Sequence, residues 1–118
     1  MGNYHGQHQH HARSYHRGLH HIPAHMHTLV ENYIDHGVDG GYFLNLIMDN
    51  DFVHAYIHAD WENHTHLIGW IRFLYLFAPA DCWGDPRTVN LWRLHRGLEG
   101  IHPPAKIQRV AQMVTRST

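Results

Sequence analysis

Carboxylate, amide and imidazole groups carry most of the chemistry this sequence offers. Asp60 and Asn63 stand one helical turn apart, and both interrupt an apolar stripe that runs from Tyr56 to Leu67. A carboxylate drawn out of water is costly unless partners compensate, so the pair is expected to be buried or to line a pocket. Two readings follow. Asp60 caps a new helix or accepts backbone N–H groups, with Asn63 completing a structural network. Alternatively, the two present an acceptor and a donor to a ligand. Asn50 and Asp51 carry the same choice between capping and binding. Gly40 and Gly41, ahead of a helical segment, let backbone N–H groups approach an anion, although no phosphate-loop lysine follows them. Trp83 sits in a turn where it would form a stacking wall, and Arg87 would meet a phosphate.

The histidines pose a metal question. His54 and His58 are spaced i, i+4, and His58, Glu62 and His66 extend the row, a spacing that chelates zinc or nickel from adjacent helical turns. That row points away from the apolar sector, so its imidazoles are expected in solvent, and no cofactor is required. No HExxH signature is present, and the single cysteine, Cys82, excludes a thiolate-rich site. A metal-dependent phosphohydrolase built from His36, His58, Asp60 and His64 is a lesser reading, because Asp35 and His36 reverse the adjacent His-Asp order of that class. No serine elbow is present, and Ser14 and Ser117 lie in expected tails. A binding role therefore leads over catalysis.

These residues need a scaffold, and the chain supports one domain. It has 118 residues, 43% hydrophobic and 16% charged, enough apolar surface to offset chain entropy. Sixteen histidines outnumber the nine Lys and Arg, so the net charge of -1 with neutral imidazoles rises steeply on acidification. Residues 1–22 hold seven of those histidines and read as a His-rich extension; 23–118 read as the folded unit. Residues 23–66 carry seven acids and no Lys or Arg, whereas 67–118 carry seven bases and three acids. This sorting makes nucleic acid an unfavoured partner and lets charges cancel across a fold or between copies of a homo-oligomer. The lone cysteine, which cannot form an internal disulfide, and the lack of a secretory leader pattern fit a cytoplasmic setting. The apolar run from Leu67 to Ala80 contains Arg72 and falls short of the roughly 20 residues that span a bilayer, so no membrane role is expected.

Periodicity predicts an all-α bundle of about five helices. Pro23 opens the first, which carries Leu29, Val30, Tyr33 and Ile34 and stops at Gly37. A buried segment spans Tyr42 to Met48. From Phe52 to Phe77 a long helix, or two collinear ones, puts Phe52, Val53, Tyr56, Ile57, Leu67, Trp70, Ile71, Leu74 and Tyr75 on one core-facing sector. Asp85 and Pro86 start a helix that ends near Gly97, and Ile107, Val110, Ala111 and Val114 mark a last one.

The residues Gly40 to Leu44, then Asn50, Asp51, Ala55, Ala59, Asp60 and Asn63, and further Ala78, Pro79, Cys82, Trp83, Gly84, Val89 and Trp92, carry a likeness. Over about residues 25–93 the chain resembles small uncharacterised accessory proteins of tailed phages and prophages, departing from them at Phe52, where they tend to have Leu. The resemblance implies a phage-type accessory protein in the host cytoplasm and supplies no catalytic residues. Such proteins often work by occupancy. The expected function is therefore a non-enzymatic binding protein, for instance an anti-defence sponge that sequesters a small nucleotide-derived ligand or holds a host factor. The alternative is a structural or interaction protein whose His-rich arm binds metal.

Overall fold

The computed structural model describes residues 15–101, which form seven α-helices and three short 3₁₀ segments with no strand among the described residues. The helices are α1 (His27–His36), α2 (Tyr42–Met48), α3 (Phe52–His58), α4 (Trp61–Thr65), α5 (Leu67–Leu76), α6 (Pro86–Leu94) and α7 (Gly97–Ile101). The all-α expectation holds, but with more and shorter helices than five. No helix among the described residues is long and apolar enough to cross a membrane.

Local chemistry explains the punctuation. α1 ends where Gly37 turns left-handed at φ 69° and its N–H bonds to the Tyr33 carbonyl, while Val38 bonds back to Asn32. The stretch 52–77, expected as one long helix or two collinear ones, is divided into three helices. Ala59 is extended at ψ 139°, Asp60 restarts the chain as an N-cap, and His66 at φ -106° marks a further irregularity between α4 and α5. Asp85 and Pro86 open α6 as anticipated, with the Asp85 carboxylate accepting the Thr88 N–H at 2.8 Å.

The core gathers Tyr15, Val30, Tyr33, Ile34, Leu44, Ile47, Met48, Trp70, Phe73, Leu74, Val89 and Trp92. Two polar ties cross it. The Tyr33 hydroxyl donates to the Cys82 carbonyl at 2.6 Å, and the Trp92 indole donates to the Tyr33 carbonyl at 3.0 Å. Both satisfy groups that would otherwise be orphaned inside.

Two expectations are corrected here. Residues 15–22 are not an extension: Tyr15, Leu19 and Ile22 are buried, the Tyr15 hydroxyl donates to Asp35 at 2.8 Å, and the 3₁₀ segment Tyr15–His21 lies along α5. Their spacing of four and three residues is helix-like, hidden between histidines. Residues 1–14 of that extension, and the helix expected beyond residue 103, lie outside the described residues. Second, α3 buries Ala55 and leaves Val53, Tyr56 and Ile57 exposed, as α5 does Ile71 and Tyr75. The break at Ala59 ends the common sector, and within α5 the buried side runs through Trp70, Phe73 and Leu74, which turns Ile71 and Tyr75 outward.

Candidate functional site

Asp60 and Asn63 meet, as their spacing required, but in structural roles. The Asp60 carboxylate caps α4 by accepting the Asn63 backbone N–H at 2.7 Å; it also accepts from Asn63 Nδ2 at 3.3 Å and lies 2.9 Å from His25 Nε2. Asn63 Oδ1 then accepts the Trp70 indole N–H at 3.0 Å. Asn63 is 2% exposed, whereas the Asp60 side chain is 55% exposed, so burial of the carboxylate is corrected. An N-cap lies at a helix end, where its charge keeps contact with water while its oxygens serve the backbone. The Asn63 N–H, then the His25 ring, hold the Asp60 carboxyl below the usual carboxylate range. Glu62 approaches the other His25 nitrogen at 3.6 Å. The result is a latch from the segment before α1, through the start of α4, to a core tryptophan.

Of the remaining sequence candidates, Asp51 and Gly41 are engaged internally in similar ways. Asn50 occupies a left-handed turn at φ 64°. Asp51 caps α3 by accepting the His54 N–H, and it also meets the His54 ring at 2.9 Å. The Gly41 N–H is taken by Asp39 at 2.7 Å, so the chain's own carboxylate stands where an anion was considered; Gly40 adjoins Leu44. That bond is the main reason the Asp39 carboxyl sits below its ordinary range, and Arg93 adds a 2.9 Å ion pair. Trp83 is half-buried against the core with its ring 5.9 Å from that of Tyr75. Arg87 lies exposed in the first turn of α6.

The metal row does not assemble. The extended Ala59 separates His54 and His58 from Glu62 and His66. His58 turns edge-on to Tyr42 with ring centres 5.0 Å apart, and His66 Nδ1 bonds to the Glu62 carbonyl at 2.8 Å. Among the described residues, no three His, Cys, Asp or Glu side chains come together in a group suited to a metal ion. Cys82 is buried, and burial pushes its thiol far above the ordinary value, away from nucleophilic use.

One concave feature was not anticipated. A groove of about 310 Å³ is lined by Asp81, Thr88, Leu91, Trp92, His95 and Ile101. Four of these are spaced i, i+3, i+4 and i+7 along α6 and its cap, which puts them on one face. Trp92 is buried, Leu91 and Ile101 are exposed apolar rims, and Asp81, Thr88 and His95 supply polar atoms. The spacing of Thr88, Leu91, Trp92 and His95 is visible in the sequence. Nothing in the sequence announced that α7 would leave that face open.

No family model matches the chain, and neither a curated protein nor a solved structure matches it.

Proposed function

We propose that the protein acts by occupancy, holding a small ligand in the α6–α7 groove without chemical turnover. The observation that carries this reading is the groove itself: its volume of about 310 Å³ lies at the small end of the range of ligand sites, and its composition, apolar with a few convergent polar groups, is typical of them. Leu91, Trp92 and Ile101 offer apolar contact to a flat molecule of nucleobase or nucleoside size. Asp81 accepts a hydrogen bond from an amino group on it, and Thr88 and His95 donate or accept. Arg87, exposed and adjacent in sequence to Thr88, would supply a cation for a phosphate. This retains the reading of a nucleotide-derived ligand while moving its site away from Asp60 and Asn63, whose hydrogen bonds are used internally. The resemblance over residues 25–93 supports a phage-type, anti-defence setting.

The test is an NMR titration of the full chain with nucleosides and with linear and cyclic nucleotides. Resonances of Thr88, Leu91 and His95 are expected to move, and Leu91→Glu should weaken binding at least about tenfold, roughly 1.4 kcal/mol. Asp60→Ala should leave the affinity unchanged. Shifts centred on Asn63, or no shift with any member of the series, would sink the proposal.

A further inference from the structure

A face of α4 and α5 is left exposed among the described residues. α5 reads Leu-Ile-Gly-Trp-Ile-Arg-Phe-Leu-Tyr-Leu, with Arg72 its only charged residue. A helix apolar around its whole circumference belongs inside a larger body. Trp70, Phe73 and Leu74 fill the core, yet Ile68, Ile71 and Tyr75 on the opposite side are 68%, 43% and 78% exposed. On α4, Trp61 is 77% exposed, and its ring stacks beside His64 with centres 6.1 Å apart.

The four exposed residues and the half-buried His64 between them are periodic. Trp61, His64, Ile68, Ile71 and Tyr75 follow one another at intervals of three, four, three and four, which is the a/d spacing of a coiled-coil seam. The two helices meet at the irregular His66, whose N–H closes α4 on the Glu62 carbonyl at 3.1 Å and whose own carbonyl opens α5 by accepting the Trp70 N–H at 2.9 Å. Tyr56 of α3 widens the seam by packing on His64 with ring centres 4.4 Å apart.

We infer that this seam is a homodimer interface in which the α4–α5 rod of one copy packs antiparallel on that of a second copy. A seam of this period matches a helix bearing the same period, and the second copy supplies one. A two-fold axis between Ile68 and Ile71 sets Ile68 of each copy against Ile71 of the other, and His64 against Tyr75. The area reaches what a small dimer needs. Tyr56, Trp61 and Tyr75 present on the order of 400 Å², and Ile68 and Ile71 bring the face to roughly 600 Å², the share each partner buries at the low end of stable interfaces. The groove at α6–α7 uses none of these residues, so dimerisation and ligand binding can fail separately.

Sedimentation of the full chain tests this. The wild type should be a dimer at micromolar concentration. Ile68→Glu and Ile71→Lys, each at an exposed position, should raise the dissociation constant at least about a hundredfold while leaving helical content unchanged. Mixing the two variants should restore a dimer, because antiparallel packing then forms one Glu–Lys layer and one Ile–Ile layer. A wild type that stays monomeric at high micromolar concentration overturns the inference, as does a dimer that tolerates both variants, which would place the contact elsewhere. Absence of rescue on mixing overturns the antiparallel pairing, since parallel packing sets each charge against isoleucine.

Discussion

The inner and outer faces of the α4–α5 rod are built from similar residues and meet opposite fates. Inside, Trp70, Phe73 and Leu74 are fully buried, and Asn63 satisfies the one indole N–H among them. Outside, Trp61, Ile68, Ile71 and Tyr75 stand in water. Hydrophobicity separates neither set from the other. Inner residues touch elements of their own chain, including the segment Tyr15–His21, whereas the outer ones stay in solvent, with Tyr75 meeting Trp83 at one edge. An apolar helix thus reports how much burial it needs, and only the fold reports how much its own chain provides.

Substitutions on the inner face should lower stability independently of protein concentration. The largest effect is expected at Gly69, where an added Cβ would run into the backbone carbonyl of His21. That oxygen belongs to main chain docked on α5 and has no rotamer to change, so Gly69→Ala should cost about 3 kcal/mol by urea unfolding. Asn63→Ala comes next. It strands the Trp70 N–H in the core and should cost about 2 kcal/mol, with the Trp70 indole resonance shifting as its acceptor disappears. Wild-type stability in either variant would mean that the inner face is less tightly determined than the packing implies.

The all-α class, the Asp85 cap, the Gly37 stop and the adjacency of Asp60 and Asn63 were all legible in the sequence, because each depends on residues within one or two turns. For a related reason the stretch 52–77, which reads as one long helix or two collinear ones, is less legible in its division. Its apolar period is continuous, and the break lies in Ala59, a strong helix former whose extended backbone follows from Asp60 taking the cap position next to it. Tyr15 was missed because its burial depends on Asp35 and Phe73, distant in sequence. The groove is likewise non-local, needing Asp81, α6 and Ile101 brought together.

Asp60→Ala sharpens the comparison at the boundary between the two faces. Losing the cap should cost about 1 kcal/mol at neutral pH, with the seam and groove intact. The carboxyl is held below its ordinary value in the folded chain, mainly by the Asn63 N–H and then by His25. Its contribution is therefore fully present above the unfolded value of about 4 and is lost as pH falls through the lower folded value. The stability gap between wild type and variant should be flat from neutral pH down to about 5 and close below about 4. A gap that stayed open well below pH 4 would mean that Asp60 is not stabilised as a carboxylate.

The smallest effect on the monomer is expected on the outer face. Tyr75 is largely exposed and its one ring neighbour, Trp83, is held separately against the core. Under dilution that favours monomer, Tyr75→Ser should change unfolding free energy by less than about 0.5 kcal/mol, the usual scale of a surface substitution. At concentrations that favour dimer, the same substitution should lower the midpoint of unfolding, because a partner that binds only the folded state stabilises it by mass action. The wild-type midpoint should therefore rise with protein concentration, and the variant's should rise less. Equal losses at both concentrations would assign Tyr75 to its own chain's packing and erase the distinction between the two faces.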